Sequence, residues 1–303
     1  MSQKTKLQSK QSDIIIDSEG NVFISYLWDD LKHLASIKDS QETSSRLPWT
    51  FVLGNDEEPQ LFTEEYSNCI LCPKKCGANR VLSSHPLCGD SQVRVSNVGV
   101  SFGDEKSLTL GGGTGIITLS GCPLTCPSCH NPEKSRSGNV ITFKDFIDIV
   151  TKLYERKANN IQILSPTVHL PTLEQYLKSL KKMNFPLPIV WKSSGYEDPQ
   201  QLRRFEGLVD IYVPDLKTCK NSFLELKMNA PSYFYYFYCS LKEMFRQVGK
   251  CLYDSNGRMQ KGIIIRYVKR TDSFDESEFI MSFLAKNEFQ AEISVMDNFV
   301  SLE

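Results

Sequence analysis

The sequence predicts an α/β fold built on a parallel sheet, and two observations carry that expectation. Short apolar runs recur from Thr114 onward, near residues 116–120, 161–165, 189–193, 209–214, 262–268 and 292–296. Segments of helical period lie between them, so each strand–helix–strand unit calls for a right-handed crossover. Six such strands are too few for a closed eight-stranded barrel.

Each element has a local reason. Polar residues open the chain; Ile14-Ile15-Ile16, a turn at Glu19-Gly20-Asn21 and Val22 to Tyr26 then read as a hairpin, followed by a short helix around Trp28 to Ile37. Residues 61–98 are turn-rich and too short for a core of their own. Gly111-Gly112-Gly113-Thr114-Gly115 precedes a strand and lacks a Gly-Lys-Ser/Thr ending. It is therefore neither a P-loop nor a dinucleotide fingerprint, but a close-packed entry to the first parallel strand. The first helix starts at Thr142, with Asp145 three residues on, and places Phe143, Phe146, Ile147, Val150, Leu153 and Tyr154 at helical spacing. The second aligns Leu173, Tyr176, Leu177 and Leu180, and the third opens on Asp198-Pro199, a cap followed by proline. A fourth carries Tyr233, Tyr236, Phe237, Ser240, Leu241, Met244, Phe245 and Val248 and stops at Gly249; its period marks the aromatic stripe as core. The fifth holds Phe279, Ile280, Phe283 and Leu284. The expected division is an N-terminal extension (1–60), a cysteine-rich metal-binding segment (61–110) and the strand–helix unit (111–303).

Composition narrows the function. With 35 basic and 36 acidic residues the formal charge is −1, so no broad field draws in nucleic acid or an acidic membrane surface. No apolar run approaches the ~20 residues of a membrane span, and no signal-peptide pattern opens the chain, which gives a cytoplasmic expectation. In that compartment the ten cysteines are not disulfide partners. Seven of them fall in two clusters; Cys219, Cys239 and Cys251 are scattered and read as small apolar residues.

The denser cluster is Gly121-Cys122-Pro123-Leu124-Thr125-Cys126-Pro127-Ser128-Cys129, a C-x3-C-x2-C spacing straight after a predicted strand. Three thiolates suit either zinc or a [4Fe–4S] cluster with one iron left open. The other cluster, Cys69, Cys72, Cys76 and Cys88, has the spacing C-x2-C-x3-C-x11-C and can complete a tetrahedral zinc site or a second iron–sulfur cluster. Parallel sheets gather active groups at their C-terminal strand ends. Those ends offer Ser165, Thr167 and His169, then Ser194, then Asp215 and Lys217, then Arg266, a rim suited to a polar ligand. His169 reads as a packed or solvated histidine rather than a base.

The cysteine triplet with its lead-in strand resembles the radical S-adenosylmethionine (SAM) superfamily. Cys69-Ile-Leu-Cys72-Pro73-Lys-Lys-Cys76-Gly77-Ala-Asn79-Arg80, Ser165-Pro166-Thr167, Ser194-Gly195-Tyr196-Glu197, Pro214-Asp215-Leu-Lys217, Ile265-Arg266-Tyr267 and Met296-Asp297 extend the likeness. Over roughly residues 65–300 it resembles the pyruvate formate-lyase-activating-enzyme-like branch. The resemblance implies a partial (β/α)6 barrel, open on one side and preceded by a small cysteine-rich region. It implies an oxidoreductase in which Cys122, Cys126 and Cys129 ligate a [4Fe–4S] cluster whose open iron chelates SAM, with no catalytic side chain beyond cluster and SAM. Reductive cleavage then gives a 5′-deoxyadenosyl radical that abstracts hydrogen, for instance from a protein glycyl residue. Ser165 and Thr167 would serve the amino-acid end of SAM, Ser194 and Asp215 the ribose, and Lys217 or Arg266 a carboxylate, Arg266 being the strongest chemical match. The implied partners are an electron donor such as flavodoxin or ferredoxin and a protein substrate. Competing readings are radical modification of a small molecule or peptide, and a zinc-stapled binding module without catalysis. Two departures stand out. Ser128 replaces the family's aromatic residue before the third cysteine, and the chain ends at Glu303, short of the family's usual closure of the last edge.

Overall fold

The structure, a computed structural model, describes residues 13–16, 22–25 and 63–299, apart from 128, 130–131, 133–136, 220–221, 271–275 and 288. The helix expected around Trp28 to Ile37, and Ser128, lie outside the described residues. In chain order the strands are β1 (Asp13–Ile16), β2 (Val22–Ser25), β3 (Arg94–Ser101), β4 (Thr114–Leu119), β5 (Asn139–Val140), β6 (Ile161–Leu164), β7 (Ile189–Ser193), β8 (Ile211–Leu216), β9 (Leu252–Tyr253), β10 (Met259–Arg270) and β11 (Glu292–Phe299). The helices are α1 (Thr63–Ser67), α2 (Lys106–Thr109), α3 (Phe143–Glu155), α4 (Leu170–Lys182), α5 (Pro199–Leu202), α6 (Ser222–Lys227), α7 (Tyr233–Val248) and α8 (Ser277–Lys286).

The eleven strands among the described residues belong to one mixed, mostly parallel sheet in the order β1-β2-β3-β4-β6-β7-β8-β10-β11, with β5 beside β3 and β9 beside β10. The six strands expected from the sequence, β4, β6, β7, β8, β10 and β11, pair in parallel. The hairpin β1/β2 pairs Ile14 with Ile24 and joins the sheet through β3, antiparallel throughout. Strand β3 is not among the expected elements. Its signal is the alternation of Val93 with Val95 and of Val98 with Val100, all buried, which the turn-rich composition around it obscures.

Pleating sends alternate residues to opposite faces. On one face Ile117, Ile161, Ile163, Trp191, Tyr212 and Ile265 join the main core with α3, α4 and α7. On the other, Val190, Ile211, Val213 and Ile264 meet Leu108 and Met259 in a small cluster. Helix starts follow local chemistry. Thr142 and Asp145 form a reciprocal capping box, and Asp198 accepts from Gln200 N at 2.8 Å ahead of Pro199. The glycine run is a close-packed entry: at Gly113 (φ +74°) a Cβ would lie 2.7 Å from Val100 Cγ1. Of the three scattered cysteines, all are half-buried rather than fully buried. Among the described residues no helix is long and apolar enough to cross a membrane.

The cysteine-rich segment is held from outside itself. Tyr66, Cys69 and Leu71 enter the main core, and Tyr66 Oη meets Thr172 Oγ1 of α4 at 3.1 Å. Arg80, only 1% exposed, donates from Nε to Gly89 O (3.1 Å), from Nη1 to Val168 O (2.7 Å) and from Nη2 to Cys88 O (3.0 Å) and Asp90 O (2.6 Å). Tyr66 lies under its guanidinium at 5.0 Å. Arg80→Met keeps the volume but leaves these carbonyls unpaired, at ~1–3 kcal/mol for each that water cannot reach. The expected outcome is a loss of ~3 kcal/mol or more of unfolding free energy, seen as a lower urea midpoint, with early proteolysis between residues 63 and 90; an unchanged midpoint would refute the clamp.

Candidate functional site

The loop after β4 and the ends of β7, β8 and β10 lie at the C-terminal edge of the parallel strands. The loop after β4 turns at Gly121 (φ +96°), where a Cβ would stand 2.7 Å from Cys88 O and 2.9 Å from Val168 Cγ2. Only glycine permits that approach. Cys122 N donates to Leu87 O (3.0 Å), while Thr125 is tied to the end of α6 by N to Met228 O (2.9 Å) and Oγ1 to Lys227 O (2.8 Å). Burial pushes the Cys122 thiol up to about 12 and the Cys126 thiol upward, neighbouring sulfurs add to both shifts, and the Lys217 charge opposes them. Cys129 interacts with both of those thiols. Desolvated thiols of this kind ionise readily only when a cation compensates them, which is what a metal supplies. Among the described residues, no three His, Cys, Asp or Glu side chains converge closely enough as they stand to hold a metal ion.

Beside this loop the sheet's smaller apolar face turns ionic toward its C-terminal edge. Lys217 Nζ lies 3.0 Å from Asp215 Oδ2, and Arg266 Nε lies 3.2 Å from Asp215 Oδ1 and 3.3 Å from Glu105 Oε1. Lys192 pairs with Asp104, and with Glu105 at 3.5 Å; Gln162 Nε2 donates to Asp104 at 3.2 Å. Burial works to raise the Asp215 carboxyl, but Lys217 and then Arg266 overcome it and hold it below the ordinary carboxylate range. For Lys217 burial opposes the charge, and the Asp215 carboxylate, with a smaller contribution from the Cys126 sulfur, outweighs it, so the ammonium persists. Asp104 is held down against burial by Lys192, whereas burial pushes Glu105 up. The Tyr233 hydroxyl sits between Ser194 O (2.8 Å) and Asp215 O (2.6 Å) and accepts from Lys217 N (3.2 Å), tying the ends of β7 and β8 to α7.

The residues expected from the sequence divide accordingly. Asp215, Lys217 and Arg266 come together, with the Ser194 carbonyl joined to them through the Tyr233 hydroxyl. Ser165 sits at a left-handed turn (φ 57°) after β6. Thr167 is buried; it donates to Glu197 Oε1 at 2.9 Å and helps line a different space. That space is a cavity of ≈150 Å³ bordered by Cys69, Cys72, Cys76 and Cys88 together with Lys74, Arg80 and Pro123. Burial pushes the Cys88 thiol up to about 12 and raises Cys72 as well. His169 is buried, with Nε2 2.7 Å from Ser120 O, and burial lowers its pKa to about 4, so it stays neutral. It is a packed residue, as expected. Sequence reasoning missed Asp104, Glu105 and the Tyr233 hydroxyl, and it placed Lys192 and Glu197 at a strand end without giving either a role. Asp104-Glu105 precedes a four-residue helix and reads as an ordinary charged loop.

Glu197 is buried without a nearby cation. Burial raises it from the ordinary value of 4.5 to about 7, although Trp191, Thr167 and Ser193 all donate to it. A raised acid stabilises the fold below its unfolded value and loses that contribution as pH rises through the folded one. Between pH 4.5 and about 7 the parent should lose about 3 kcal/mol that Glu197→Gln retains. Urea midpoints of both proteins across that window check this; parallel pH profiles would refute it.

No family model matches the chain. It is 24% identical over 242 residues to an uncharacterized protein of Methanocaldococcus jannaschii, a match covering 76% of this chain. The matched stretch is 65% of that protein, so the chain spans just under two thirds of this relative's length.

Proposed function

We propose that this chain is a radical SAM enzyme of the glycyl-radical-activating type, with its parallel strands forming a partial (β/α)6 barrel. The observation that carries the reading is the C-x3-C-x2-C loop at the end of β4, set beside the half-buried Asp215, Lys217 and Arg266 at neighbouring strand ends. Cys122, Cys126 and Cys129 would hold a [4Fe–4S] cluster with an iron open to SAM. When bound, these groups supply reductive cleavage of SAM to a 5′-deoxyadenosyl radical, and a flavodoxin- or ferredoxin-like donor supplies the electron.

The chain's own side chains position and exclude. Lys217 lies within electrostatic reach of this chemistry, since both the Cys122 and the Cys126 thiols feel its charge. It is therefore the partner we assign to the methionyl carboxylate of SAM. Arg266 is already shared among Glu105, Asp215 and Asp104, so its part is to hold Asp215 in place for the ribose or ammonium. The substrate hydrogen comes from a protein glycyl residue in this reading.

Two outcomes test it. Anaerobically reconstituted protein should show an EPR signal of its reduced cluster that changes on adding SAM. Replacing Cys122, Cys126 and Cys129 together by Ala should abolish that change; a surviving change refutes the assignment. Loss of a hydrogen bond to a charged group costs ~1.5–3 kcal/mol, roughly tenfold to over a hundredfold in affinity. Lys217→Met should weaken SAM binding by that factor, and Arg266→Ala should also weaken it or slow 5′-deoxyadenosine release, each with the cluster absorbance intact. Parental affinity and activity in both variants would place the ionic cluster outside the site.

A further inference from the structure

We infer that Cys69, Cys72, Cys76 and Cys88 hold an iron–sulfur cluster of their own rather than a single zinc ion, and that it shares a wall with the loop of Cys122, Cys126 and Cys129. The identity of the metal is independent of the function proposed above, while the shared wall matters only if that loop also carries a cluster.

Size decides between the metals. A zinc site built from four cysteines draws their sulfurs to ~2.3 Å of one point and closes around the ion. Here the four cysteines surround a cavity of ≈150 Å³, and among the described residues no three of them converge on a point. A cubane cluster takes one thiolate on each of its four irons, so its ligands stand apart around a larger body. Four thiolates leave either metal centre a net negative group, and the cavity wall supplies Lys74 and the buried Arg80 guanidinium to offset it. Cys76 is exposed, so one edge of the site reaches solvent.

The wall toward the barrel loop is thin. Pro123 borders the cavity and takes a hydrogen bond on its carbonyl from Lys74. Gly121 lies against the Cys88 carbonyl, Cys122 N donates to Leu87 O, and the Cys88 thiol feels the Cys122 thiol directly. The two cysteine sets are thus separated by backbone and one proline.

The test is metal content and EPR of the full chain, reconstituted anaerobically with iron and sulfide in the presence of equimolar zinc. The variant lacking Cys122, Cys126 and Cys129 should keep about four irons per chain and an EPR signal indifferent to SAM. Zinc alone, or no metal, in that variant overturns the inference. The reciprocal variant, Cys72→Ala with Cys76→Ala, gives the same count by subtraction and needs no folding of the first: it should lose about four irons relative to the parent. An unchanged iron count overturns the inference. In the fully reduced parent the two signals should broaden each other; a spectrum equal to the sum of the two variants' spectra overturns the shared wall. Four irons retained in the first variant, with no SAM response in any protein, would sink the proposed function and leave this site standing.

Discussion

The seating of the cysteine-rich segment against the sheet depends on one buried guanidinium. Removing a cation from water costs several kcal/mol unless its donors are satisfied, and Arg80 meets that condition with carbonyls from two parts of the chain. Gly89, Cys88 and Asp90 belong to its own segment, whereas Val168 belongs to the turn after β6. The side chain therefore fixes a coreless loop against the sheet. It also fixes the height of Cys88, and through it the space left for Gly121. A smaller or neutral residue at this position cannot set both.

The second organising feature is an ionic layer laid over an apolar one on the same face of the sheet. Val190, Ile211, Val213 and Ile264 fill the lower part with Leu108 and Met259. Two residues further along the same strands the pleat delivers Lys192, Asp215 and Arg266. Asp104 and Glu105 from the β3–α2 connection balance them, giving three acids and three bases once Lys217 is counted. In a medium of low polarity such a set is stable only as a whole. Removing one member leaves its neighbour charged and unpaired, which costs more than the pair contributes.

The legible parts of the sequence are those that rest on local chemistry. Strand alternation, the Thr142 and Asp198 caps and the aromatic stripe of α7 all follow from residues close in the chain, and each is found in the structure. The same holds for the six parallel strands and for the meeting of Asp215, Lys217 and Arg266, because strand ends are placed by the fold class alone. What escapes depends on long-range partners. Lys192 looks like a strand-end lysine until Asp104, 88 residues earlier, is brought to it. Tyr233 reads as core from its helical period, which is correct for its ring and silent about its hydroxyl. Glu197 reads only as part of a motif; its isolation from any cation is a property of the packed interior. Strand β3 is hidden because a turn-rich neighbourhood masks the alternation of its valines.

The carbonyl that Arg80 takes from Val168 has a consequence in time. Arg80 leaves the ribosome long before its partner, 88 residues downstream. Until β4 and β6 have paired, which in a parallel sheet requires the intervening crossover to form first, the four N-terminal cysteines have no fixed frame. Nor does Gly121 have the Cys88 carbonyl to rest against. The thiols are thus exposed to solvent and oxidant during synthesis, and they reach their final spacing only after the first half of the sheet has closed. Long-range contacts of this kind form late, so the frame around these thiols is set only once the sheet between them and Val168 has closed.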